Sequence, residues 1–214
     1  LNGGQSTPHP WINVVSNDTF GFHVSAEGAG FSWAENSRDY QLTPWTNDLV
    51  INRPGEGFYV SDTATNKVYT PFAALSRRPD VLFEARHGLG YSIFSSEEDG
   101  LKLELTQTVD RTRHAKFSHI KLRNSGSETK KLKLYGYVEW LLGSNTAKTV
   151  PFILPSRDEA TGTLFATNAF SINFSRFAFL GMSEMPTGFT ASRREFIGRF
   201  GSVSALSGSW PTTR

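Results

Sequence analysis

With 214 residues, 38% of them hydrophobic, and a formal net charge of +2, the chain can bury a sizeable core. It carries too little charge to argue for nucleic acid or an anionic membrane as a partner. The absence of cysteine excludes a disulfide framework and any thiolate site, and fits a reducing compartment. Seventeen Phe, six Tyr and five Trp favour sheets over helices, and no apolar run approaches the ~20 residues of a bilayer-crossing helix.

The start, LNGGQSTPHPW, has neither the basic head nor the apolar core of a signal peptide. It also lacks an initiator methionine, and with the abrupt end at SWPTTR this suggests a piece of a longer polypeptide. The sequons at Asn17 and Asn173 read as chance.

Strand signals dominate the chain. Trp11 to Val15 and Phe20 to Ser25 are short β-rich runs joined by the turn formers Ser16-Asn17-Asp18. Gly30 to Asp48, GFSWAENSRDYQLTPWTND, is polar and aromatic without a regular apolar repeat, as in a functional loop. Gly57 to Ser61 and Lys67 to Thr70 flank a hairpin turn, and Val81 to Arg86 and Tyr91 to Ser95 flank His87-Gly88-Leu89-Gly90. Leu101, Leu103, Leu105 and Val109 alternate with Lys102, Glu104, Thr106 and Thr108, the pattern of a strand with one wet face. Lys116 to Arg123 alternates again, with Ile120 and Leu122 inward, and Lys131 to Leu141 follows after the turn Asn124 to Ser127. Three successive long strands with tight turns predict an antiparallel meander. Phe170 to Phe174 and Arg176 to Leu180 are further strand runs, and Ser192 with Glu195 three residues on predicts a capped short helix. No linker or repeat divides residues 1–214, so a single all-β domain of two packed antiparallel sheets is expected.

The chemistry concentrates in the loop. Trp33 and Trp45 offer flat apolar faces, while Asn36, Arg38, Asn47 and Asp48 supply the donors and acceptors that grip hydroxyl groups. Thr43-Pro44 extends the backbone before Trp45. The competing reading is a structural loop whose tryptophans plug a core edge. Glu35, Asp39 and Asp48 could form a glycosidase-like pair only if two carboxyl groups stood ~5–9.5 Å apart. The five histidines have no zinc-like spacing, so no metal is expected. The basic stretch Arg111 to Lys133 alternates with apolar residues as a solvated sheet face does, and Phe117 is its one candidate for stacking bases. Nucleic acid is therefore not an expected partner. His87 sits at a strand end where it could be aimed into a cleft.

The stretch TPHPWINVVSNDTFGFHVSAEGAGFSWAENSRDYQLTPWTND looks like the start of the phosphorylase-like region of cyclic β-1,2-glucan synthases. It is also similar to the wider cellobiose phosphorylase group, glycoside hydrolase family 94. Phe31-Ser32-Trp33, Asn36-Ser37-Arg38 and Thr43-Pro44-Trp45-Thr46-Asn47-Asp48 carry the likeness. So do Arg86-His87-Gly88-Leu89-Gly90-Tyr91, Tyr137 to Gly143 and Arg194 to Gly201.

The resemblance implies a galactose mutarotase-like β-supersandwich, truncated, with at most one or two short helices, normally followed by an (α/α)6 barrel that carries the general acid. It implies a non-catalytic domain that supports the barrel and lends Trp33, Asn36, Arg38, Trp45, Asn47, Asp48 and, more weakly, His87 to a cleft for β-linked gluco-oligosaccharide. No cofactor is implied, inorganic phosphate being a co-substrate of the parent enzyme. The implied partners are the rest of the parent polypeptide and a second copy in a homodimer. The domain is expected in the cytoplasm, with a parent associated with the inner membrane. Two alternatives stand beside this: a purely structural or dimerising domain, and a self-sufficient glycosidase or epimerase.

Overall fold

A computed structural model describes residues 5–48, 50–76, 78–170 and 176–206. The chain is built of antiparallel sheets and divides into two compact units, one ending at Glu139 and one beginning at Trp140. Among the described residues, no helix is long and apolar enough to cross a membrane.

In the first unit, β1 (Ile12–Ser16), β2 (Phe20–Ser25) and β3 (Gly30–Ala34) form one sheet in that order. A second sheet is the meander β6 (Leu82–Gly88), β7 (Tyr91–Glu98), β8 (Leu101–Val109) and β9 (Lys116–Asn124). Between them in sequence come β4 (Glu56–Asp62) and β5 (Val68–Tyr69), which pair as a hairpin. The first sheet lies against the meander: β1 and β2 contact β8. Asn13 Nδ2 donates to the carbonyls of Gly88 and Tyr91 and to Ser92 Oγ. Asn17 Nδ2 likewise donates to the carbonyls of Asp110 and Arg113, so each end of β1 is tied across.

The alternation read in β8 is realised, with Leu101, Leu103 and Leu105 buried. Gln107, polar and on the same face, is buried as well, at 2% exposure. The expected continuation of the meander differs. β10 (Leu132–Val138) leaves β9 and pairs antiparallel with β4, from Leu132 opposite Asp62 to Val138 opposite Glu56. There Leu132 and Leu134 pack on the buried cluster of Val60, Tyr69, Leu101 and Leu103. β9 is thereby left as an edge strand, which is why Leu122, expected inward, remains 38% exposed. Alternation specifies which face of a strand is buried but not which edge receives its hydrogen bonds.

The second unit holds a short helix α1 (Thr146–Thr149), capped by the Asn145 side chain, and the sheet β11 (Ile153–Arg157), β12 (Leu164–Asn168) and β13 (Ala178–Leu180). Ala166 and Ala178 pair on its buried face, and Asn168 Nδ2 donates to the Leu142 carbonyl. The opposite face shows Leu154, Phe177 and Phe179 to solvent. The strand expected from Phe170 to Phe174 falls mostly outside the described residues. Helix α2 (Arg193–Ile197) starts where the sequence places it, Ser192 Oγ accepting from the Glu195 N–H. The Glu195 carboxylate closes the cap through Thr190, whose hydroxyl donates to it and accepts from the Ser192 N–H.

Candidate functional site

The loop after β3 folds back over the outer face of the first sheet. Asn36 begins the return, its Oδ1 accepting from the N–H groups of Arg38 and Asp39 and its carbonyl from Tyr40 N–H. The chain then runs back beside β3: Trp33 bridges Gln41, and Leu42 N–H donates to the Ser32 carbonyl. Thr43-Pro44 carries the backbone past the sheet edge, and Trp45 drops onto it.

The floor beneath Trp45 is aromatic. His23 and Phe31 are paired across β2 and β3 and so share the outer face. The Trp45 and Phe31 rings stack at 5.4 Å with 2° between planes, and His23 stands edge-on to both, at 4.7 and 4.5 Å. Trp33 lies 5.3 Å from Phe31 and across Gly21: a Cβ there would sit 2.6 Å from Trp33 Cζ2. Glycine is required at that position so that the indole can lie on the backbone. Burial and then the charge of Lys116 lower the His23 pKa to about 4, so it is neutral in this box at physiological pH. Trp45 keeps 44% exposure, whereas Trp33 is half-buried.

A buried ion pair fixes the base of the loop. Glu56 Oε1 accepts from the hydroxyls of Ser32 and Thr43, each at 2.7 Å, while Lys116 Nζ donates to Oε2 at 2.8 Å. Thr43 Oγ1 in turn accepts from Ser32 N–H. Burial works against the Glu56 charge, but Lys116 and the two hydroxyls more than offset it and hold the pKa below the usual value. Further along, Asn52 Nδ2 donates to Ser25 Oγ and Glu27 Oε2, and Arg53 is paired with Glu139.

The sequence-derived residues therefore divide. Trp45 is a held, half-open ring. Arg38 is extended into solvent, its side chain 90% exposed and 3.9 Å from the Asp39 carboxylate. Asn47 is exposed at a backbone φ of 50°. Asn36 Oδ1 and the Asp48 carboxylate are occupied by backbone: Asp48 accepts from the N–H groups of Val50 and Ile51. Those two bonds, Ile51 first, lower the Asp48 pKa, the opposite of what a general acid needs. His87 belongs to another place. It lies on β6, with Nδ1 3.0 Å from Ser92 Oγ and its ring against Phe94, and burial lowers its pKa. Sequence reading missed His23, Gly21, Glu56 and Lys116. Only the β2–β3 register, which sets His23 opposite Phe31 and Gly21 opposite Trp33, could have exposed the first two.

Comparison with known proteins agrees with this architecture. The family described as glycosyl hydrolase 94, supersandwich domain, matches residues 1–206. The chain is 57% identical over 206 residues, 96% of its length, to cyclic beta-(1,2)-glucan synthase NdvB of Rhizobium meliloti (strain 1021), and spans 7% of that protein. It is 26% identical over 139 residues to N,N'-diacetylchitobiose phosphorylase of Vibrio furnissii, covering 62% of this chain and 17% of that one. A 3-O-beta-D-glucopyranosyl-beta-D-glucuronide phosphorylase of Paenibacillus borealis is 26% identical over 130 residues, with coverage of 60% and 16%. The four-stranded meander, the sheet facing it and the family match over nearly the whole chain lead to one assignment: this chain belongs to the glycosyl hydrolase 94 supersandwich family.

Proposed function

We infer that the chain is a non-catalytic sandwich domain of a β-glucan-processing enzyme, contacting a β-linked gluco-oligosaccharide through the loop after β3. Trp45 is the observation that supports this most. Stacked on Phe31 and braced by His23, it is ordered before any ligand arrives, and its 44% exposure leaves indole surface for the apolar face of a sugar ring. Asn47, two residues on, and Arg38, at the turn of the same loop, supply exposed donors, and a preordered ring binds at lower entropic cost. Catalysis, and the use of inorganic phosphate, belong in this reading to the remainder of the polypeptide, in the cytoplasm.

A scaffold role accompanies the contact role. Leu154, Phe177 and Phe179 are exposed apolar side chains on or beside β11–β13, suited to burial against another part of a longer polypeptide.

The test is a calorimetric or NMR titration of the 214-residue chain with β-1,2-linked gluco-oligosaccharides, beside a Trp45→Ala variant of unchanged circular dichroism. Saturable binding lost in the variant supports the loop contact. A flat titration of the folded parent chain would leave the scaffold role alone.

A further inference from the structure

The outer face of the β6–β9 meander carries two exposed aromatic rings that sequence spacing keeps far apart. The register sets Gly88 opposite Tyr91, Tyr91 opposite Thr108 and Thr108 opposite Phe117, so all four share one row on one face. The next row on that face is Arg86, Ile93, Thr106 and His119. Tyr91 is 42% and Phe117 55% exposed. Tyr91 does not float: a Cβ on Gly88 would lie 2.4 to 2.7 Å from its Cζ, Cε1 and Oη, so the ring rests on the bare glycine backbone. One ring face is thereby seated on the sheet and the other left to solvent. Within that row two strand spacings, about 10 Å, separate the backbone positions of Tyr91 and Phe117, with Thr108 between them.

The polar groups around the rings suit a neutral polyol. Arg86 is held by Glu104 at 3.4 Å and Glu84 at 3.7 Å, which aims its planar fork along the face. Hydroxyls of Thr106 and Thr108 and the exposed His119 complete the second row and its border. Acids and bases are mixed over the rest of the face: Lys102 and Arg123 stand opposite each other, with Glu97 across from Lys102 and Glu104 across from Lys121. Such interleaving makes no continuous cationic track of the kind a phosphate backbone requires. Flat apolar rings with hydroxyl-compatible donors and acceptors fit the apolar faces and equatorial hydroxyls of a β-linked glucan.

We propose that Tyr91 and Phe117, with Thr108 between them and Arg86 and His119 beside them, form a second saccharide-binding platform for a β-linked gluco-oligosaccharide. It rests on the reading of the ligand class above but not on the Trp45 loop.

The experiment is a site-resolved NMR titration of the 214-residue chain with β-1,2-linked and β-1,4-linked glucotetraose, following the amides of Thr106, Thr108 and His119 and the Trp45 indole N–H separately. Saturable shifts at the three amides, weakened about tenfold in Phe117→Ala and retained in Trp45→Ala, are expected. Phe117 is exposed enough that alanine should leave the urea midpoint unchanged, and Tyr91→Ala provides a second variant with the same expected loss. Shifts confined to Trp45 would overturn the platform while sparing the loop contact. Shifts confined to the platform would do the reverse. No shift with either sugar, or equal binding in Phe117→Ala, overturns the proposal, as does saturation of these amides by single-stranded RNA but not by glucan.

Discussion

Replacing Lys116 with methionine is expected to destabilise the chain by about 3 kcal/mol near pH 7. The Lys116 and Glu56 side chains are only 13% and 21% exposed, and Nζ also lies 4.2 Å from the Phe22 ring centroid. Methionine retains most of the stem, so the loss is chiefly electrostatic. Removing one partner of a buried pair costs roughly 3–5 kcal/mol, and the Ser32 and Thr43 hydroxyls that still reach Glu56 place the cost at the low end. The pH dependence is the sharper test. With Lys116 present, the folded-state pKa of Glu56 lies below the ordinary 4.5, so its contacts stabilise the fold above that pH and are lost as pH falls through the depressed value. Without Lys116, burial prevails and raises the folded-state pKa. The mutational penalty is then full near pH 7 and shrinks as acid neutralises the buried carboxylate. Urea unfolding followed by tryptophan emission, at about pH 7 and about pH 4, reads both quantities. A penalty below about 1 kcal/mol, or one equal at the two pH values, would refute the reasoning. The double variant Lys116→Met/Glu56→Gln should recover much of the loss, because no unpaired charge remains.

His23 should make the stability of the same region pH-dependent in a different window. The unfolded chain gains a proton below pH 6.5 while the folded imidazole resists until about 4. Stability therefore decreases as the pH is lowered across that interval, by up to about 1.4 kcal/mol per unit. His23→Leu should flatten the slope, and identical slopes in the two proteins would assign it to other groups. Gly21→Ala should cost about 1–3 kcal/mol and alter the near-UV tryptophan signal, since its Cβ would lie 2.6 Å from Trp33 Cζ2 and 2.7 Å from Ser16 Cβ. A variant with unchanged midpoint and spectrum would contradict the packing of Trp33 on Gly21.

Much of the fold is legible in the chain because its signals are local. The alternation from Leu101 to Leu105 follows from the two-residue period of a strand, and the start of α2 follows from Ser192 meeting the Glu195 N–H. The family resemblance, carried by short runs such as Asn36-Ser37-Arg38, is upheld by the match over residues 1–206. Within the loop, the sequence marks Trp45 as a candidate but is silent on its floor, because Phe31 and His23 lie on separate strands. It also does not distinguish the exposed Arg38 from Asn36 and Asp48, whose side-chain oxygens are bound to backbone.

The pairing of β10 with β4, the folding of residues 36–45 over the first sheet, and the gathering of Tyr91 and Phe117 on one face were decided by tertiary structure alone. Each depends on which hydrogen-bonding edge is free and which apolar face still needs cover once the other strands are in place. Periodicity along a chain records which side of a strand seeks burial. The neighbour that provides it is chosen by the packing of residues distant in sequence.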